Sequence, residues 1–169
     1  MRWRWPARLA LLVVGAAGLA WASLALGLVS LSASSRPSRL EKSVAHAALD
    51  TAVRARAPRG RTAPTDAASV DRGRQAYQAN CLVCHGVPGG EQSTIAVGLN
   101  PPVPDLGEPE TQRRTDGELF FLVTGGIRLT GMPAFERSLP EQLRWDVVGF
   151  LRALPKLSDE QLKALTAGR

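Results

Sequence analysis

Two cysteines and one histidine stand together near the middle of the chain. Cys81 and Cys84 are the only cysteines in the sequence, and His85, one of two histidines, follows directly. Two residues between the cysteines put both sulfurs on one side of a helical turn, within reach of the two vinyl groups of a porphyrin. The sequence therefore predicts one covalent haem c, anchored by Cys81 and Cys84, with His85 as the proximal iron ligand.

Other chemistries also use closely spaced cysteines. A redox dithiol needs a thioredoxin-like strand–helix–strand frame, and no such pattern surrounds residue 81. A zinc site needs four well-spaced ligands, which the two cysteines with His46 or His85 do not supply. A structural disulfide is the remaining alternative. We interpret the motif as a haem site and His46 as a surface residue.

The elements around the motif have the pattern of an all-α domain. A helix starting at Ser69 or Asp71 runs into Cys81, and the segment Gly86–Gly107, rich in proline and glycine, is an irregular loop placed to wrap a cofactor. Further helix starts are predicted at Thr115–Glu118, Ser138–Glu141 and Ser158–Gln161. The second of these opens the longest helix, which ends before Pro155. No two apolar runs have the pattern of paired strands.

The N-terminus predicts a membrane anchor. The run Leu9–Leu31 is uncharged and largely apolar, and its 23 residues would span roughly 34 Å as a helix. Arginines precede it at positions 2, 4 and 8, which favours a cytoplasmic N-terminus, and Trp3 and Trp5 are candidate interface anchors. We expect a single-pass protein of the cell inner membrane with the haem domain on the periplasmic, outer face. A cleaved signal peptide is the alternative, with a cleavage site at Ala20–Ala22.

Between anchor and haem domain we expect a helix followed by a linker. Apolar residues recur with helical spacing from Leu40 to Arg56, and residues 57–68 are rich in proline and arginine. Treated as flexible coil, this linker has a reach of roughly 20 Å. The predicted divisions are residues 1–31 (anchor or signal segment), 32–68 (helix and linker) and 69–169 (cytochrome c domain).

The charge distribution argues against nucleic-acid binding. Residues 1–68 carry ten basic and three acidic side chains, a balance of +7, whereas residues 69–169 carry eleven and twelve, a balance of −1. The overall charge of +6 therefore belongs to the N-terminal region and not to the predicted redox domain.

From about residue 69 to 169 the sequence resembles the class I cytochromes c, specifically single-haem, membrane-anchored bacterial members. The matching residues are Gly73 and Tyr77 ahead of the haem motif, Gly131–Phe135 around Met132, and a terminal helix through Phe150. The resemblance implies a small fold of four to five helices around one haem, in which Gly73 and Tyr77 contact Val147 and Phe150. It also implies that a carbonyl of Pro101, Pro102 or Pro104 accepts the second N–H of His85.

Met132 is the candidate for the distal iron ligand. A thioether raises the potential of a haem iron, and the only other methionine, Met1, is expected across the membrane. Gly131 and Pro133 favour a sharp loop at this position. Arg128 or Trp145 could meet a haem propionate, although a solvated arginine and a core tryptophan are equally compatible with the sequence.

Histidine and methionine at both axial positions leave no open site at the iron, which predicts an electron carrier and not an enzyme. We expect redox partners such as a quinol-oxidising complex or dehydrogenase as donor and an oxidase or reductase as acceptor. Beyond residue 69 only Lys156 and Lys163 are lysines, so docking through a lysine ring is not expected. A permanent cytochrome c subunit of a larger membrane oxidoreductase is the first alternative, and a haem-based sensor or peroxidase-like protein is the second.

Overall fold

Every regular element in residues 4–30 and 32–167, the parts of the chain that the computed structural model describes, is helical. The chain divides into two units, Met1–Ser35 and Arg36–Arg169. The first contains α1 (Arg4–Ala25). The second contains α2 (Arg39–Arg56), α3 (Ala67–Asn80), α4 (Leu82–His85), α5 (Thr94–Val97), α6 (Pro109–Gln112), α7 (Asp116–Gly125), α8 (Glu141–Ala153), a 3-10 turn (Leu154–Lys156) and α9 (Asp159–Thr166). The predicted all-α class is confirmed.

Helix α1 is apolar and long enough to cross a bilayer. Its stretch Ala7–Ala25 has 19 residues and a mean hydropathy of 1.7. At 1.5 Å per residue this stretch is roughly 28 Å long, close to a hydrocarbon core of about 30 Å. The helix ends before the predicted Leu31, because the chain turns after Ala25 and Gly27 adopts a φ of 67°. Arg2, Trp3, Leu31 and the side chains of Arg4 and Trp5 lie outside the described residues.

Helix α2 packs on the rest of the second unit through its C-terminal half. Val53 is fully buried, and the Asp50 carboxylate accepts a hydrogen bond from the Arg114 guanidinium at 2.8 Å. That bond lowers the pKa of Asp50 below its ordinary value. The helix begins one residue before the predicted Leu40, behind a capping box of Ser38 and Glu41.

The residues 57–66, called the docked segment below, are packed against the helices of the same unit. Ala63 is buried, and its N–H donates to Asp116 Oδ2 at 2.8 Å. A Cβ atom at Gly117 would overlap the Pro58 carbonyl, and one at Gly149 would overlap the Pro64 carbonyl. The prediction of a flexible coil is therefore wrong here, because two glycines on neighbouring helices let this backbone lie directly on them.

The core of the second unit lies where α3 crosses α8. Gly73 allows the close approach, since a Cβ atom there would overlap the Asp146 carbonyl. The rings of Tyr77 and Phe150 pack with centroids 5.2 Å apart. The buried Asp146 carboxylate accepts a hydrogen bond from Arg72 Nε at 2.7 Å. The predicted contact of Gly73 and Tyr77 with the helix that carries Val147 and Phe150 is confirmed.

The helix starts predicted at Thr115–Glu118 and Ser158–Gln161 are confirmed, and each has a capping box. The box predicted at Ser138–Glu141 is wrong. The N–H groups of Ser138 and Leu139 donate back to the Phe135 carbonyl, so a turn forms there and α8 begins only after Pro140. Helix α3 begins at Ala67, slightly before the predicted start, with Asp66 as its N-cap.

Candidate haem-binding site

The haem motif forms one helical turn at the end of α3. The Cys81 N–H donates to the Tyr77 carbonyl at 2.8 Å, and the N–H groups of Cys84 and His85 donate to the Cys81 carbonyl at 3.0 and 2.9 Å. Helical geometry through the motif places the two sulfurs one turn apart on a common side. The helical turn predicted from the spacing is present in the structure.

Two contacts hold this turn against the core. Leu82, between the cysteines, is 2% exposed and belongs to the main buried cluster with Tyr77. The Tyr77 hydroxyl donates to the Gly86 carbonyl at 2.7 Å, directly after the motif. Burial raises the pKa of the Cys81 thiol to about 12, with a further contribution from Cys84. Both thiols are free of disulfide bonding in the structure.

His85 is oriented by the loop that follows the motif. Its Nδ1 lies 3.0 Å from the Pro104 carbonyl oxygen, and because a carbonyl only accepts, Nδ1 carries the hydrogen. Nε2 is then the ring nitrogen with a lone pair for a metal. Burial lowers the pKa of His85, partly offset by the Pro104 hydrogen bond, so the neutral ring is favoured. Of the three prolines considered, the structure selects Pro104.

The loop itself folds back onto the motif. The Ser93 hydroxyl donates to the Val83 carbonyl at 2.6 Å, just before the short helix α5. Apart from α5, residues 86–107 lack regular structure, as predicted. The loop thus returns twice to the motif, once through Ser93 and once through Pro104.

Met132 lies in a tight turn after α7. The Ile127 N–H donates to the Met132 carbonyl at 3.2 Å, and the Met132 N–H donates to Thr130 Oγ1 at 3.1 Å. The backbone of Gly131 lies against the Leu99 side chain, where a Cβ atom would come within 2.6 Å of Leu99 Cδ2. The turn that carries Met132 therefore contacts the same loop that orients His85.

Other residues singled out in the sequence occupy separate places. Trp145 is 1% exposed and stacks on Phe120 with ring centroids 4.2 Å apart, and the Arg61 guanidinium of the docked segment lies 4.5 Å from its ring centre. Trp145 is thus a packing residue beneath the docked segment. Arg128 is exposed, and His46 is exposed on α2, in agreement with a surface role.

The chemistry of these groups fits a covalent haem. Two thiols on one helical turn can each form a thioether bond with a vinyl group. The adjacent imidazole keeps Nε2 free for iron, because its Nδ1 is hydrogen-bonded to the Pro104 carbonyl. A hydrogen bond of this kind is the usual way in which a protein orients a metal-binding histidine. Sequence reasoning missed Asp105, whose carboxylate accepts hydrogen bonds from the Gly89 and Gly107 N–H groups of this loop.

Comparison with known proteins supports this interpretation. Residues 68–151 match the family model described as cytochrome c oxidase, cbb3-type, subunit III. No curated protein matches the chain closely enough to count as a relative. The matched stretch includes Cys81–His85, Met132 and most of α8. The chain therefore carries a class I c-type cytochrome domain, an electron carrier with covalently bound haem c and its iron.

Proposed function

We propose that this protein is a one-electron carrier in which Cys81 and Cys84 hold the haem through thioether bonds, and His85 and Met132 are the axial iron ligands. The observation that carries the proposal is the 3.0 Å hydrogen bond from His85 Nδ1 to the Pro104 carbonyl, next to two cysteines on the same turn. It fixes the tautomer in which Nε2 can bind iron. Haem c supplies reversible one-electron chemistry when bound.

The role of Met132 is supported by its surroundings. Its turn is braced by two hydrogen bonds and rests on Leu99, so the backbone beside the thioether is held in place. The Met132 side chain is only half-buried among the described residues, which leaves its sulfur accessible to a haem iron. With His85 and Met132 as its protein ligands, a bound haem iron would offer oxygen and peroxide no vacant coordination site. This favours electron transfer over a sensor or peroxidase-like role.

A spectroscopic experiment tests the ligand set. The reduced and oxidised protein should be low-spin, and the oxidised form should show a methionine-sulfur band that Met132→Ala abolishes while the haem stays attached. Leu129→Ala is the matched control, because Leu129 lies in the same turn but is 90% exposed. A Met132→Ala spectrum identical to that of the unaltered protein would refute the distal ligand. Carbon monoxide binding to the unaltered reduced protein at neutral pH would favour the sensor or peroxidase-like alternative.

We also propose that α1 is retained as a single-pass anchor in the inner membrane, with the haem domain on the periplasmic face. The length and hydropathy of Ala7–Ala25 support a span, and the arginines before it support a cytoplasmic N-terminus. Intact-mass measurement of the purified membrane protein tests retention. A mature chain beginning near Ser23 would contradict the anchor and support a cleaved signal peptide.

Two observations favour the second candidate function, a permanent subunit of a membrane oxidoreductase. The matching family is described as a subunit of an oxidase, and the docked segment joins α2 to the cytochrome domain within one unit. A carrier that shuttles on a long tether would gain from a free linker, which residues 57–66 do not provide. Extraction in mild detergent followed by native electrophoresis separates the two. Migration as a monomer supports the carrier, and co-migration with an oxidase or a quinol-oxidising complex supports the subunit.

A further inference from the structure

Asp105 connects the two stretches of loop that flank the His85 hydrogen bond. Its Oδ2 accepts a hydrogen bond from the Gly89 N–H at 2.8 Å, and its Oδ1 accepts one from the Gly107 N–H at 2.7 Å. Gly89 lies four residues after His85, whereas Gly107 follows the proline-rich stretch. One carboxylate therefore ties the chain leaving the haem motif to the chain that supplies the carbonyl partner of His85.

The position of Asp105 in the backbone gives this tie a direct effect on His85. The Pro104 carbonyl that accepts the His85 hydrogen belongs to the peptide group joining Pro104 to Asp105. The Asp105 carbonyl is itself held, because it accepts the Glu108 N–H at 3.3 Å. With side chain and carbonyl both bonded, Asp105 restrains the peptide plane that precedes it, and with it the direction of the Pro104 oxygen.

Packing leaves this region little freedom to adapt. A Cβ atom at Gly107 would lie 2.8 Å from the ring of Pro88, so the two stretches are in close contact beside the carboxylate. The Asp105 hydrogen bonds and this packing therefore both limit movement of the Pro104 carbonyl that His85 contacts.

We infer that Asp105 is a positioning residue for His85, which it serves by fixing the Pro104 carbonyl, and that it thereby lowers the reduction potential of the bound haem. This inference rests on the proposed role of His85 as proximal iron ligand. A stronger hydrogen bond at Nδ1 makes the imidazole a better electron donor, and a better donor stabilises the oxidised iron. The negative charge of the Asp105 carboxylate also lowers the reduction potential, because it favours the more positive, oxidised iron.

Redox titration of the holoprotein with Asp105→Ala and Asp105→Asn tests the inference. For Asp105→Ala we expect the equilibrium to move toward the reduced form by about tenfold, equal to about 59 mV for one electron. Asp105→Asn loses the charge but keeps one acceptor oxygen, so a smaller shift in the same direction is expected. If Asp105→Ala yields no folded holoprotein, the potential of Asp105→Asn alone tests the inference. Asp71→Ala is the matched control, because it removes one exposed charge from α3 and should leave the potential unchanged.

The possible outcomes separate this inference from the proposed function. Unaltered protein without covalent haem, or with a ligand other than His85, would overturn the proposed function and this inference with it. Normal axial ligation in the unaltered protein, with Asp105→Ala and Asp105→Asn at the unaltered potential, would overturn only the role of Asp105. Equal shifts of the reduction potential in the two variants would mean that Asp105 acts through its charge alone. That result would overturn its positioning of His85 through the Pro104 carbonyl.

Discussion

The loop 86–107 and the docked segment 57–66 have similar compositions and very different roles. Both are rich in proline and glycine or arginine, and both lack long regular elements. The loop wraps the haem motif through Ser93 and Pro104. The docked segment lies on α7 and α8, beside Trp145. Proline and glycine content thus indicates the absence of regular structure, whereas the tertiary contacts depend on what the neighbouring helices present.

The two regions also differ in what their loss would remove. The loop and motif hold the groups proposed to bind the cofactor, so changes there should alter the haem. The docked segment connects α2 to α7 and α8, so changes there should alter stability and motion while the haem remains. Four variants, one of them at the crossing of α3 and α8, test this comparison, beginning with the largest expected effect.

Removing both cysteines should have the largest effect. Cys81→Ala combined with Cys84→Ala deletes both sulfurs, and no other cysteine exists to replace them. We expect complete loss of covalently bound haem, measured by haem staining after denaturing electrophoresis. Haem staining of the double variant at the level of the unaltered protein would contradict the assignment of the anchors.

Filling the helix crossing should destabilise the whole domain. Gly73→Ala places a Cβ atom on the Asp146 carbonyl, and overpacking of this kind costs about 1–3 kcal/mol, occasionally more. Chemical denaturation followed by haem absorbance measures the loss. Gly125→Ala is the matched control, because nothing lies within 4 Å of its Cβ position. If both variants unfold at the same denaturant concentration as the unaltered protein, the close crossing is not needed.

Displacing the docked segment should leave the haem in place. Gly117→Ala puts a Cβ atom on the Pro58 carbonyl, so the segment must move away from α7. In the unaltered protein the Ala63 amide donates a hydrogen bond to Asp116. In the variant we expect faster hydrogen exchange at this amide and an unchanged haem spectrum. The opposite pattern, a protected Ala63 amide and an altered spectrum, would show that the two regions are not separable.

Arg61→Ala should have the smallest effect of the four. Arg61 pairs with Glu141 at 2.8 Å and stacks on Trp145, but its side chain is 46% exposed. At exposed sites, a cation–π contact contributes about 0.5–1 kcal/mol and an ion pair about 0.2–1 kcal/mol. Thermal melting compared with Arg59→Ala provides the control, since no ion pair or ring contact of Arg59 is found in the described part of the chain. Equal melting temperatures of Arg61→Ala and Arg59→Ala would show that Arg61 does not stabilise the docked segment.

Sequence reasoning succeeded where the signal is local. The spacing of Cys81, Cys84 and His85 defines one helical turn, and the turn is present. Gly73 and Tyr77 stand one helical turn apart, and they meet α8 as expected. In each case the relevant geometry is set by residues within a few positions of one another.

It failed where the partner lies far along the chain. Pro104 could not be distinguished from its neighbouring prolines, because the choice depends on how the loop folds back. Asp105 was missed for the same reason, although an aspartate two residues before a glycine is a common turn former. Gly117 and Gly149 allow the docked segment to lie against their helices, but their local sequence does not indicate which segment packs there.

The central claim is tested most directly by mass spectrometry of the purified protein after tryptic digestion. The peptide Gln75–Arg113 contains both cysteines and His85. We predict that it carries the added mass of one haem, with fragmentation placing thioether bonds at Cys81 and Cys84. Recovery of that peptide with two free thiols, or with an internal disulfide, from cells able to attach haem would contradict the assignment.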